Sequence, residues 1–116
     1  MKKFYYLRDE KSRPIITVCI IKGTKLQHRD LIARGVAICS VKNPKKKIGR
    51  DIAEGRAEKA WETESCDDII NRRRAMDVLY SVIDTSDHDY AFLFKSEIYP
   101  YLSDFEKEIL DKPENA

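Results

Sequence analysis

The hydrophobic positions of the first 41 residues alternate with the period of two that is typical of β-strands. Residues 15–22 are β-branched almost throughout, residues 3–8 are short and rich in aromatic side chains, and residues 31–41 alternate between large and small side chains. Short polar turns separate the three segments, and Pro14 holds the residue before it in an extended conformation. The pattern predicts an antiparallel meander of three strands.

The third predicted strand has one small and one large face. The large face would carry Ile32, Arg34, Val36, Ile38 and Ser40, and the small face Ala33, Gly35, Ala37 and Cys39. A face of such small side chains allows a helix backbone to lie close above it. We therefore expect the next element to pack there.

After residue 41 the hydrophobic period changes from two to 3.6, which predicts a helix. Asn43 is a suitable N-cap, Pro44 fits the first helical position, and the helix is expected to reach Trp61. Gly55 destabilises a helix by about 1 kcal/mol relative to Ala, so we expect it to permit a close approach. The predicted inner face consists of Gly49, Ile52, Ala53, Arg56, Ala57 and Ala60.

The C-terminal half predicts further helices. The second would run from about 67 to 84, with Ile69, Ile70, Arg73, Met76, Leu79, Tyr80 and Ile83 on its inner face. Residues 90–99 suit either a strand, by their aromatic run, or a helix, by their spacing of four; Pro100 favours the helix. Ser103 and Glu106 form a capping box that would open a short helix reaching about Asp111.

Together these segments predict a single α+β domain over residues 1–116. An N-terminal antiparallel three-stranded sheet (residues 3–41) would be followed by two to four C-terminal helices within residues 43–112. The length of 116 residues is sufficient for a modest hydrophobic core.

Composition narrows the possible functions. The net charge of +2 argues against a general nucleic-acid coating protein. No apolar run approaches the ~20 residues of a membrane span. The first residues lack the apolar stretch of a secretion signal, and three widely spaced cysteines are typical of reduced cytoplasmic thiols. We found no nucleophile elbow, P-loop, dinucleotide fingerprint or zinc pattern, so we expect neither an enzyme nor a cofactor or metal.

The start of the first predicted helix carries an unusual concentration of positive charge. Lys45, Lys46, Lys47 and Arg50 lie where the helix dipole makes cations unfavourable, by typically ~0.3–1 kcal/mol each. Cations around free backbone N–H groups are favourable for binding an anion, which predicts a site for a phosphate-bearing ligand. Arginine grips phosphate bidentately, so Arg50 and Arg56 are the stronger candidates for specific contacts.

Two structural alternatives apply to these candidates. In the structural alternative, the stem of Arg56 packs while its head reaches water or pairs with a carboxylate. The aromatic residues of the first strand (Phe4, Tyr5, Tyr6) and of the C-terminal half, above all Tyr90 and Phe92, are candidates for stacking on a base, although core packing is the more common role of such residues.

Three features together resemble a phage protein family. They look like features of the Thoeris anti-defence sponges. The three features are the tyrosine-rich first strand, Ala33-Arg-Gly-Val-Ala-Ile-Cys-Ser40 and Gly49-Arg-Asp-Ile-Ala-Glu-Gly-Arg-Ala57. The resemblance covers about the first 60 residues. It implies an N-terminal sheet with C-terminal helices, and homo-oligomers whose subunits build ligand pockets together. It also implies that Arg56, within the Gly-Arg-Ala stretch, grips a phosphate, whereas the family's adenine-stacking aromatic has no matching position here.

The same resemblance implies an immune-evasion function in the cytoplasm of the host cell. Such sponges bind and sequester cyclic ADP-ribose isomers made by TIR-domain immune enzymes without cleaving them, and some also hold cyclic oligonucleotides at a second site. The alternative is a small phage-type interaction protein that inhibits a host macromolecule or binds nucleic acid through the basic loop 42–50. The confinement of the basic residues to one helix start favours the small-molecule ligand over nucleic acid.

Overall fold

The computed structural model describes most of the N-terminal half and parts of the C-terminal half. The described residues are 1–8, 10–25, 29–38, 46–64, 67–69, 95–98, 100, 102 and 104–111. They form a five-stranded antiparallel sheet and two helices. The elements are β1 (Lys2–Arg8), β2 (Pro14–Lys25), β3 (Arg29–Ile38), α1 (Lys46–Thr63), β4 (Asp67–Ile69), β5 (Lys95–Ile98) and α2 (Asp104–Leu110).

The predicted α+β class and the N-terminal antiparallel meander are confirmed. The strand order is β1-β2-β3-β5-β4, so β2 lies between β1 and β3 with both neighbours antiparallel to it. Val18 is paired with Tyr5 on one side and with Val36 on the other. The apolar character of both faces of β2 follows from this position, because a helix covers each face of the sheet. Among the described segments, no helix is both long and apolar enough to span a membrane.

The two faces of the sheet are covered differently. One face packs against α2 through large side chains, namely Tyr5, Leu7, Ile16, Val18, Ile20, Val36 and Leu110. The opposite face packs against α1 through mostly small side chains, namely Cys19, Ile21, Ala33, Ala37, Ala53, Ala57 and Ala60. The expected match between the small face of β3 and the helix is therefore confirmed.

Gly35 shows how closely α1 approaches the sheet. A Cβ atom at this position would lie well under 3.0 Å from the backbone of Ala53 and of Ala57. At the other end of the helix, the Trp61 ring lies 3.2 Å from the position that a Cβ on Gly23 would occupy. Trp61 therefore sits over the end of β2, and α1 runs in the same direction as β2. This orientation brings the N-terminal half of α1 towards Phe4 of β1.

A fully buried ion pair joins α2 to the sheet. The Arg34 guanidinium donates from Nε to Glu106 Oε2 (2.9 Å) and from Nη2 to Glu106 Oε1 (2.7 Å). Tyr5 Oη donates to the same carboxylate at 3.0 Å, and Glu97 Oε1 lies 3.5 Å from Arg34 Nη1. The predicted short helix after Ser103 is confirmed, and its Glu106 carboxylate is anchored in the core.

Four sequence-based expectations were wrong. Residues 67–69 and 95–98 form β4 and β5, where helices were predicted, because β5 pairs with the edge of β3 (Ala33 with Ile98) and β4 pairs with β5. Ile52 is 42% exposed although it was assigned to the inner helix face. No described atom outside the backbone of α1 lies within 4 Å of the position that a Cβ on Gly55 would occupy, so Gly55 permits no close approach within the described structure. The rest of the predicted second helix, together with Tyr90 and Phe92, lies outside the described residues.

Candidate functional site

An open groove lies between β1 and the N-terminal half of α1. It has a volume of about 520 Å³ and is lined by Phe4, Lys47, Arg50, Asp51 and Glu54. Phe4 reaches it because it lies on the face of β1 that is turned towards α1. The four helical residues reach it because spacings of three and four place side chains on one flank of a helix.

Two of the lining side chains, Phe4 and Arg50, contact each other. The Arg50 guanidinium carbon lies 4.5 Å from the centre of the Phe4 ring, within the range of a cation–π contact. A cation–π contact does not use up the N–H donors of a guanidinium, which stay available for hydrogen bonds. Arg50 is thus held in place while it keeps its capacity to donate hydrogen bonds to an anion.

The potential at the start of α1 is positive. The first turn of the helix contains no acidic residue, and Lys47 lines the groove beside Arg50. The helix dipole adds partial positive charge at the same end. Lys46 begins the helix, but its side chain is among the parts that the structure does not describe.

Two carboxylates also line the groove. Asp51 and Glu54 follow Arg50 along α1, and Lys2 of β1 lies between Glu54 and Glu58. Lys2 Nζ donates to Glu58 Oε1 and lies 3.8 Å from Glu54 Oε2. The hydrogen bond to Glu58, followed by the charges of both glutamates, raises the pKa of Lys2. The groove therefore presents both cations and hydrogen-bond acceptors.

Arg56 lies apart from this groove. Its Nη1 donates to the backbone oxygen of Val36 on β3 at 2.6 Å, and its side chain is half-buried. Six residues along a helix correspond to a rotation of about 240°, so Arg50 and Arg56 occupy different flanks of α1. The structure brings Lys47 and Arg50 together and does not bring Arg56 to them. The predicted role of Arg56 in gripping a phosphate stays a prediction.

Cys19 lies beside Phe4 in the sheet and is fully buried. Burial, and after it the negative charge of Glu54, raises the pKa of the Cys19 thiol from 9.0 to about 12. A thiol with so high a pKa is protonated at neutral pH and is a poor nucleophile. Cys19 therefore belongs to the core beneath the helix.

Sequence reasoning selected two of the five residues that line this groove. Lys47 and Arg50 were predicted, whereas Phe4 was considered only as one of several aromatic residues, and Asp51 and Glu54 were not considered as ligand contacts. The alternation of β1 does place Phe4 on the opposite face from Tyr5, but only the packing of α1 shows which face meets the helix. Within the described residues, no group of three His, Cys, Asp or Glu side chains is arranged to hold a metal ion.

Comparisons with protein-family models, with curated proteins and with solved structures found no match. The functional argument therefore rests on the geometry of the groove and on the sequence features already described.

Proposed function

We propose that the protein binds a phosphorylated cyclic nucleotide in the groove between β1 and α1 and sequesters it without cleaving it. The observation that carries this proposal is the Arg50 guanidinium, supported by the Phe4 ring and placed beside Lys47 at a helix start without acidic residues. Two cations and a helix N-terminus form charge-assisted hydrogen bonds with a phosphate.

The other groups of the groove suit the rest of a nucleotide. The Phe4 ring and the Arg50 guanidinium are both planar groups on which a base can stack. Asp51 and Glu54 are hydrogen-bond acceptors, and carboxylates accept hydrogen bonds from ribose hydroxyl groups in many nucleotide sites. The mixed charge of the groove, which would disfavour a simple anion such as sulfate, is thus suited to a phosphorylated sugar.

The size of the groove supports a small ligand. Its volume of about 520 Å³ lies within the ~300–1,000 Å³ of small-molecule sites. The cations that line the groove, Lys47 and Arg50, lie at the start of one helix. A surface that binds nucleic acid instead spreads its cations along the path of the phosphate backbone. The resemblance to the Thoeris anti-defence family adds the ligand class, a cyclic ADP-ribose isomer with a cyclic oligonucleotide as a second candidate. It also adds the phage immune-evasion function in the host cytoplasm.

Isothermal titration with cyclic ADP-ribose isomers and with cyclic oligonucleotides tests the proposal. We expect wild-type protein to bind one of them, and Arg50→Ala to weaken binding about 10- to 100-fold, because a hydrogen bond to a charged group contributes ~1.5–3 kcal/mol. Lys107→Ala is the matched control, since this exposed cation lies on α2, away from the groove. Absence of heat for every ligand with the wild type would contradict the proposal.

Two further comparisons locate the site and test the alternative. If Arg56→Ala abolishes binding while Arg50→Ala does not, the ligand lies on the other flank of α1. If the protein instead binds nucleic acid through residues 42–50, its affinity falls steeply and linearly in log salt. A ligand held in the groove loses much less affinity over the same range.

A further inference from the structure

Glu54 is a groove carboxylate that is drawn towards β1 and keeps its acceptors open. It lines the groove, its side chain is 40% exposed, and its Oε2 lies 3.8 Å from Lys2 Nζ. The hydrogen bond of Lys2 goes to Glu58 instead. Within the part of the chain that the structure describes, Glu54 accepts no hydrogen bond. Both of its carboxylate oxygens are therefore available to the hydroxyl groups of a ligand.

The surroundings of Glu54 carry an excess of negative charge. Lys2 lies between Glu54 and Glu58, so one cation faces two carboxylates. Asp51 lines the same groove and adds a further negative charge. Arg50 precedes Glu54 by four residues, about 6 Å along the helix axis, and the two side chains form no ion pair with each other. A phosphate placed against Glu54 would therefore meet carboxylates that Lys2 alone does not neutralise.

A ribose hydroxyl and a ribose phosphate require opposite charges in a binding site. A carboxylate accepts a hydrogen bond from the 2′-hydroxyl of an unmodified ribose, whereas it repels a phosphate at the same position. In dinucleotide-binding folds an acidic residue hydrogen-bonds the ribose of NAD, and an arginine accommodates the 2′-phosphate of NADP. Glu54 matches the first of these arrangements.

We infer that Glu54 makes the groove selective for a ligand whose ribose carries free hydroxyl groups and against the same ligand with a 2′-phosphate. This inference rests on the proposed function, because it requires a phosphorylated sugar in the groove. Lys47 and Arg50 then contact the phosphates of the ligand, and Glu54 contacts its sugar. The groove therefore takes a cyclic ADP-ribose isomer made from NAD and rejects the isomer made from NADP, which carries the additional phosphate.

Isothermal titration with matched pairs of ligands, at constant ionic strength, tests this selectivity. Each pair consists of one cyclic ADP-ribose isomer and the same isomer with a 2′-phosphate. We expect the wild type to bind the unphosphorylated member at least about tenfold more tightly, because like charges brought together are unfavourable. Glu54→Gln keeps a hydrogen-bond acceptor and removes the charge, so this preference should fall at least about fivefold.

Glu62→Gln is the matched control. The substitution is the same, and Glu62 is exposed on the same helix but does not line the groove. We expect this variant to keep the preference of the wild type. Glu54→Arg makes the opposite change and should lower the preference further than Glu54→Gln does, because an arginine accommodates a 2′-phosphate.

The possible outcomes separate this inference from the proposed function. If the wild type binds a ligand and Glu54→Gln leaves its preference unchanged, or if Glu62→Gln lowers the preference equally, the inference is overturned and the proposed function stands. The same holds if the wild type binds both members of a pair equally well. If the wild type gives no heat with any member of any pair or with cyclic oligonucleotides, both the proposed function and the inference are overturned.

Discussion

At the scale of single residues, the most constrained side chain is Arg34. It is fully buried on β3, forms two hydrogen bonds with the buried Glu106 carboxylate, and lies near Glu97. A buried ion pair adds little net stability to a protein. Removal of one partner, however, leaves the other charge without compensation in a low-dielectric core. The pair also fixes where α2 docks, because its geometry is bidentate.

We therefore expect Arg34→Met to lower the free energy of unfolding by about 3–5 kcal/mol, since Glu106 would remain buried without its cation. Urea denaturation measures this loss. The double variant Arg34→Met, Glu106→Leu should recover much of it, because no unpaired charge remains. Equal losses for the single and the double variant would show that shape, and not charge compensation, determines the stability at this site.

At the scale of elements, the contact between α1 and the sheet depends on two glycines with opposite roles. Gly35 lies beneath the helix, where a Cβ would collide with the backbone of Ala53 and Ala57, whereas Gly55 lies on the outer surface of the same helix. Backbone atoms cannot move aside as flexible side chains do. The helix as a whole would have to shift to accommodate a methyl group at position 35.

Substitution of each glycine by alanine separates these roles. Gly35→Ala should destabilise the protein by about 1–3 kcal/mol or more, through overpacking. Gly55→Ala should stabilise the protein by up to about 1 kcal/mol, because alanine has the higher helix propensity and the space is open. Chemical denaturation measures both. A stabilising Gly35→Ala would mean that α1 does not lie as close to β3 as the structure shows.

The elements that sequence reasoning placed correctly are those whose pattern is local. β2 and α1 carry sustained periods of two and 3.6, and the small residues of β3 and α1 predicted their close contact. Residues 67–69 were predicted as the start of a helix, whereas residues 90–99 suited either a strand or a helix and were assigned to a helix. Pairing of β5 with the edge of β3 decided the outcome for residues 95–98, and that partner lies more than 60 residues earlier in the chain. Residues 67–69 then pair with β5 as β4.

At the scale of the whole molecule, the fold keeps the Cys19 thiol out of water. Burial, assisted by Glu54, raises the pKa of this thiol to about 12, compared with 9.0 when it is exposed. A group whose pKa is higher in the folded than in the unfolded state stabilises the fold, and this stabilisation is complete at pH values below the pKa of the unfolded state. That contribution is lost progressively as the pH rises from about 9 towards 12, because the unfolded chain releases the proton first.

We therefore expect the stability of the wild type to fall more steeply above about pH 9 than that of a Cys19→Ala variant. Denaturation midpoints measured between pH 8 and 11 for both proteins give the difference in stability between them. Because lysines and tyrosines titrate in both proteins, this difference reports the titration of Cys19. Cys19 should also resist alkylation in the native state at pH 8 and react once the chain is unfolded. A constant difference between the two proteins over this range would contradict the assignment.

The candidate site shows how far the sequence alone leads. The concentration of cations at the start of α1 was visible without a structure, because it opposes the helix dipole. The sequence did not show that Arg50 contacts the Phe4 ring, that Asp51 and Glu54 share the groove, or that Arg56 lies on another flank. Those relations depend on the orientation of α1 across the sheet, which Gly35 and Trp61 determine through contacts with residues distant in sequence.

The sequence by itself determined the α+β class, the antiparallel meander and the small-residue contact between β3 and α1. These follow from side-chain period and size, which are local properties. Only the tertiary structure decided that residues 95–98 extend the sheet, that Arg34 pairs with Glu106 across 72 positions, and which flank of α1 faces β1. The reason is physical: burial, charge compensation and strand pairing are properties of partners that the fold brings together, and no local pattern specifies the partner.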